Sequence, residues 1–240
     1  ELCGKNTGPV QGNAGSMHLV ALDKRYMLSS AIVASAIPVA VGAAFANKQQ
    51  QNDFIACVFF GEGALNEGVF WESLNVASLM KLPVLFVCED NGLAVHTPTT
   101  MRQGYKVITD VVRNFECDIF QKDTTNVETI YQLTLDATKS ISATDRPAFL
   151  YLKCYRYLEH VGIHEDFDAG YRSRSEFEEW RKRDPVMLQR KRLIEVGYAE
   201  TDILDAEKLI DERIRNSIKL AKEAPFAKVE DLYRGVFYEA

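Results

Sequence analysis

The chain has 240 residues, 47% hydrophobic and 26% charged, with 28 Lys and Arg against 34 Asp and Glu and a net charge of −6. Such a composition excludes a disordered or disulfide-stapled chain, and its acidic balance excludes wholesale nucleic-acid binding, which rewards clustered Lys and Arg. The longest apolar stretch, residues 31–46, contains Ser35, Pro38 and Gly42 and falls short of the roughly 20 residues that span a bilayer.

The length suits one good core with a small appendage. The chain opens on Glu1 and passes Gly4, Gly8, Gly12 and Gly15 before any periodic segment, so it reads as the middle of a loop whose upstream part is missing. No basic region followed by an apolar core marks a signal peptide. Among the five cysteines no pair has CxxC spacing, and Cys57, Cys88 and Cys154 lie inside apolar runs. They read as small buried hydrophobes in a reducing compartment, here the cytoplasm.

Residues 29–47 are rich in Ala, Ser and Gly and predict a buried, closely packed helix, kinked at Pro38. Residues 53–60 (DFIACVFF) form a near-continuous apolar run, the pattern of a parallel strand covered on both faces. A helix over 65–80 follows, ending at Lys81-Leu82-Pro83, and residues 84–88 read as a second buried strand. A strand–helix–strand unit of this kind implies parallel neighbours and a right-handed crossover. Next come a short strand at 117–120, a helix at 127–142 capped by Asn126, and a strong strand at 148–154. Residues 160–171 are a polar, acidic loop, after which Ser175 and Glu178 have capping-box spacing. The remainder, roughly 174–220, is charged and helical, broken at Asp184-Pro185 and Gly197. The fold class is therefore α/β: a parallel sheet with helices on both faces over residues 1–172, and a helical C-terminal extension over 173–240.

Ligands of open parallel sheets bind at the carboxyl ends of strands. There the first strand delivers Gly61-Glu62-Gly63-Ala64 toward a helix start, where glycines let the backbone approach an anion and free amides favour a phosphate. Glu62 would repel that phosphate unless a cation lay between them. The second strand delivers Glu89-Asp90-Asn91-Gly92, one strand–helix–strand repeat later, which places Asn91 and Glu62 on neighbouring loops. A carboxylate, an amide oxygen and a loop carbonyl, with phosphate oxygens and water, would complete the octahedron that Mg²⁺ demands.

These residues resemble the thiamine diphosphate motif, a Gly-Asp-Gly followed after about 25 to 30 residues by an Asn-Asn pair. More narrowly, the chain resembles the α subunit of the E1 component of 2-oxo acid dehydrogenases, the pyruvate, branched-chain and acetoin enzymes. Gly15-Ser16-Met17-His18-Leu19, Ile32-Val33 with Pro38 and Gly42, residues 61–68, Lys81-Leu82-Pro83, Glu89-Asp90-Asn91, Tyr155-Arg156-Tyr157, Tyr171-Arg172 and Asp184-Pro185 carry the likeness over nearly the whole length.

The resemblance implies thiamine diphosphate and Mg²⁺, with metal ligands Glu62, Asn91 and the Leu93 carbonyl. It implies backbone contacts to the diphosphate from Gly61, Gly63 and Ala64, and main-chain contacts to the aminopyrimidine at Ala31 and Val33. It makes His160 the active-site histidine, close to the diphosphate. The implied partners are an E1 β subunit supplying the pyrimidine half of the site in an α2β2 assembly, a lipoyl E2 and a 2-oxo acid substrate. Three positions depart from the pattern. Glu62 replaces the Asp, Asp90 replaces the first Asn, and Leu158-Glu159-His160 replaces His-Gly-His, with the following loop two residues longer. No serine follows His160, so kinase control is not expected. Two other outcomes are compatible with these departures: a carboligase with the same cofactor, forming an acyloin or a branched sugar, or a non-catalytic scaffold subunit.

Overall fold

The computed structural model describes residues 1–233 as two compact units. The larger, residues 33–193, holds the sheet. The smaller combines residues 1–32 with the C-terminal segment from residue 194.

In chain order the larger unit contains α1 (Ala36–Gln49), β1 (Ala56–Gly61), α2 (Gly68–Leu79), β2 (Val84–Asp90), β3 (Leu93–Ala94), β4 (Thr97–Pro98), α3 (Ile108–Val112), β5 (Asp118–Lys122), α4 (Val127–Thr144), β6 (Ala148–Lys153), α5 (Arg174–Arg181) and most of α6 (Pro185–Glu195). Four parallel strands stand in the order β1-β2-β6-β5, and β3 and β4 form a two-residue antiparallel ladder beyond the end of β2. The βαβ order makes the sheet parallel, and the twofold alternation of side chains splits its core in two. Val58, Phe60, Val84, Phe86 and Phe149 pack with Ile37, Val41 and Ala44 of α1 and Phe70, Leu74 and Ala77 of α2 on one side. Leu85, Val87 and Leu150 pack with Ala137 and Ile141 of α4 on the other. The α/β class with helices on both faces is thus as expected.

The first helix differs from expectation. It begins at Ala36, not residue 29, because residues 31–35 turn and Ala34 has φ of 64°. Pro38 therefore falls in the first helical turn, where an amide has no intrahelical acceptor to lose, and needs no kink. Only Ile37, Val41 and Ala44 of this helix are buried; Val39 and Phe45 are exposed. The strand expected at 53–60 runs from 56 to 61 and is an edge strand covered on one face, with Phe59 65% exposed. Cys57, expected buried, is exposed, whereas Cys88 is buried.

Helix α2 starts at Gly68, after a 3-10 turn over Glu62–Asn66. Asn126 does cap α4, its Oδ1 accepting from the Thr129 amide at 2.8 Å. Its replacement by Ala is expected to cost about 1 kcal/mol in a denaturant melt. The cap of α5 is Ser173, whose Oγ accepts from the Glu176 amide at 3.1 Å, two residues upstream of the Ser175 expected to open this helix. The breaks at Asp184-Pro185 and Gly197 separate α5, α6 and α7 (Glu200–Glu223).

Within the smaller unit, the N-terminal segment is tied to the residues after α7. The Asn6 amide donates to the Pro225 carbonyl (3.0 Å), Lys5 Nζ donates to the Ala224 carbonyl (2.9 Å), and Lys5 and Phe226 form an antiparallel bridge. Among the described residues no helix is long and apolar enough to cross a membrane.

Candidate active site

The register of the first two strands places the glycine-rich turn and the Asn91 loop side by side. Gly61 pairs with Glu89, so the next residues, Glu62 and Asp90, leave the same sheet edge together. The hairpin β3–β4 then folds back toward the glycine turn. A Cβ on Gly63 would stand 3.1 Å from Ala94 Cβ, so this position admits the backbone of a glycine and little more. Ala64 is buried and Gly61 exposed at the mouth of the turn. The amides here begin a 3-10 turn, not the α-helix that the sequence suggests.

Asn91 is half-buried, and its Oδ1 accepts from the Leu93 amide at 3.0 Å, which shapes the loop. Leu93 faces Pro98 across the hairpin, and the Thr99 amide donates to the Gly92 carbonyl at 3.0 Å. That bond makes Leu93–Pro98 a non-hydrogen-bonded pair, so the Leu93 carbonyl points away from β4. Asp90 is occupied elsewhere. Its Oδ2 accepts from the Tyr151 hydroxyl and its Oδ1 from the Gly92 amide at 2.8 Å, so the substituted charge braces the loop.

Glu62 is 2% exposed, and burial, then the neighbouring Asp90 carboxylate, push its carboxyl up while Arg102 pulls it down; the net direction is upward. Arg102 reaches it with Nη2 at 2.5 Å from Oε1. Arg102 is absent from the sequence reading. A lone arginine among Met101 and Gln103 carries no motif; the signal that could have found it is the need of a buried carboxylate for a cation.

His160 is exposed on the loop after β6, where Arg156 Nη1 lies 3.5 Å from its Nδ1. The same Nη1 donates to the Val95 carbonyl (3.0 Å) and Nη2 to the Tyr171 hydroxyl (2.6 Å), so Arg156 ties this loop to the β3–β4 hairpin. His96 of the hairpin stacks on Tyr171 at 4.4 Å between centroids. Asp166 receives the Tyr171 hydroxyl and, at 2.8 Å, Arg172 Nε, while Arg172 Nη1 donates to the Arg156 carbonyl. Burial pushes the Asp166 carboxyl up, but the Tyr171 and Arg172 hydrogen bonds outweigh it and hold the group below its ordinary range. Of the other loop groups, His164 is exposed and Glu165 pairs with Arg174 at 3.0 Å.

The remaining expected contacts lie as follows. Val33 opens the larger unit and is 57% exposed; Ala31 and His18 are exposed residues of the smaller unit. Burial raises the Cys117 and Cys154 thiols to about 12.

Do these residues fit a diphosphate held through a divalent ion? Among the described residues no three His, Cys, Asp or Glu side chains converge as a metal site. A cation here must therefore combine the Glu62 carboxylate with amide, carbonyl and phosphate oxygens. Such hard oxygen donors around one carboxylate are what Mg²⁺ uses beside a phosphate. The donor set fits, and Glu62 Oε1 also accepts from Arg102.

The family model described as dehydrogenase E1 component matches residues 1–230. The chain is 32% identical to the pyruvate dehydrogenase E1 component subunit alpha of Rickettsia felis, over 99% of this chain and 72% of that protein. It is 30% identical to the subunit of that name from Porphyra purpurea (99% and 70%) and 29% identical to that of Zymomonas mobilis (98% and 66%).

Proposed function

Because this chain belongs to the dehydrogenase E1 component family, we propose pyruvate as its 2-oxo acid and Mg²⁺ as the cation of its site. It is the α subunit of a thiamine diphosphate-dependent 2-oxo acid dehydrogenase and works with an E1 β partner. Pyruvate is the substrate in the names of the relatives above, and the Gly61–Glu89 register, which joins Glu62 to the Asn91 loop, is the observation that carries the site. An α2β2 assembly, transfer of the acyl group to a lipoyl-bearing E2 and a cytoplasmic setting belong to the same reading.

Bound thiamine diphosphate supplies the nucleophilic carbon and electron sink on which a 2-oxo acid loses CO₂. The residues of this chain supply anchorage. Glu62, Asn91 Oδ1 and the Leu93 carbonyl would hold Mg²⁺ against the diphosphate, and the Gly61, Gly63 and Ala64 backbone would lie along it. Arg156 braces the loop that carries His160, whose exposed imidazole would meet an anionic group. The pinned loop over residues 156–172 limits water at the reacting centre.

Calorimetry on the α subunit co-expressed with its β partner tests this. Thiamine diphosphate with Mg²⁺ is expected to bind, and Glu62→Ala to weaken it by about a hundredfold, the scale of a lost charge-assisted ligand. With pyruvate, acetyl transfer to lipoamide is expected. Cofactor binding without lipoamide product, but with condensation onto an aldehyde, would instead establish a carboligase. Folded protein that binds no cofactor would establish a scaffold subunit.

A further inference from the structure

Arg102 is held more firmly than a loop arginine needs to be. Its side chain is 12% exposed against 2% for Glu62. Nε donates to the Thr97 carbonyl at 3.0 Å, Nη1 to Asn66 Oδ1 at 2.5 Å, and Nη2 to Glu62 Oε1 at 2.5 Å and Thr99 Oγ1 at 3.4 Å. These acceptors come from the 3-10 turn after β1 and from the far side of the β3–β4 hairpin. Together they fix the plane of the guanidinium, so the pair is built into the fold and is not a chance surface contact.

A monovalent cation thus rests on the carboxylate read above as the ligand of a divalent one. The two cannot share it without repulsion, which is weakly screened at a buried carboxylate. We propose that Arg102 is a resident counter-cation, and that a divalent metal enters this site by displacing its guanidinium from Glu62. The proposal rests on the reading of Glu62 and Asn91 as metal ligands.

Three observations support an exchange over permanent exclusion of the metal. Arg102 keeps acceptors at Thr97 and Asn66 when Glu62 is withdrawn, so the guanidinium need not be stranded. The Tyr105 hydroxyl, in the same cluster of charges, is buried without a hydrogen-bond partner and offers another acceptor. Glu62 is also longer by one methylene than the Asp of the family pattern, so its carboxylate can serve either cation by rotation about its side-chain bonds. Arg102 is then a gating residue. It neutralises a buried carboxylate in the metal-free subunit and makes metal binding weaker than the donor set alone would allow.

The test uses the α subunit co-purified with its β partner, saturated with thiamine diphosphate, and Mn²⁺ as probe. Free Mn²⁺ is followed by its electron paramagnetic resonance signal. Arg102→Gln is expected to bind Mn²⁺ about tenfold more tightly than wild type, and Arg102→Lys, which keeps the charge but loses the fork, by a smaller factor. Mere structural support by Arg102 predicts weaker binding, never tighter. Unchanged or weaker Mn²⁺ affinity in these variants overturns the exchange, and Arg102→Lys alone decides if Arg102→Gln does not fold. Cofactor bound with no Mn²⁺ in any form overturns the metal reading, and the exchange with it.

Discussion

Phe70→Ala is expected to lower stability by about 3–5 kcal/mol, the range for a large aromatic removed from a close-packed core. Phe70 is fully buried and stands at the centre of an aromatic cluster, with ring centroids 4.9 Å from Trp71, 5.5 Å from Phe60, 6.1 Å from Phe149 and 6.2 Å from Phe86. It joins α2 to three of the four strands. No neighbouring helix can collapse into the space without breaking strand packing, so the loss should fall at the upper end of the range. A thermal melt with the midpoint reduced by about 10 °C or more is the expected reading for a domain of this size. A shift under 3 °C would show that the core relaxes around the gap.

Asp166→Ala is the second large effect, and it is local. The Arg172 side chain is 2% exposed and Asp166 is its charge partner, so the substitution strands a buried guanidinium. Breaking one partner of such a pair costs about 3–5 kcal/mol, which raises the open fraction of the segment more than a hundredfold. Protease cleavage within residues 156–172 should rise accordingly while the sheet melts at its former temperature. The pH dependence has a definite sign. The folded carboxyl lies below its ordinary value, so its stabilisation is present above the unfolded pKa and disappears as pH falls through the folded one. Loop protection should therefore decline in the acid range below the ordinary Asp value, and Asp166→Asn should remove that decline. Cleavage of the variant at the wild-type rate would mean that Tyr171 and Arg156 hold the loop without it.

Much of the sheet is legible from residue order alone. Residues 84–88 and 148–152 are continuous apolar runs because β2 and β6 are central and covered on both faces, so burial leaves its mark directly. β1 carries a similar run but is an edge, and an exposed Phe59 cannot be told from a buried one by its letter. The start of α1 was obscured for another reason. Residues 29–35 contain no Gly or Pro to stop a helix, and the left-handed backbone at Ala34 leaves no mark in the sequence. At the site, glycine spacing and repeat distance lead to Glu62 and Asn91, since both depend on strand register. Arg102 depends on how a hairpin folds back over the glycine turn, and no local pattern encodes that. The bracing of Asp90 by Tyr151 is hidden for the same reason, since the two residues meet across the paired strands β2 and β6.

The strand order has a consequence for synthesis. β1 and β2 are joined by a single helix and can pair as soon as both are made, but β2 takes its other neighbour from β6, in register from Leu85 with Ala148. With about 60 residues between them and elongation at ~5–20 residues per second, β2 waits roughly 3–12 s on the ribosome with one side unpaired. During that interval Leu85, Val87 and the open amides of β2 are exposed to any nascent chain nearby. One of the two central strands of the finished sheet thus spends part of synthesis as an edge strand, open to chaperones.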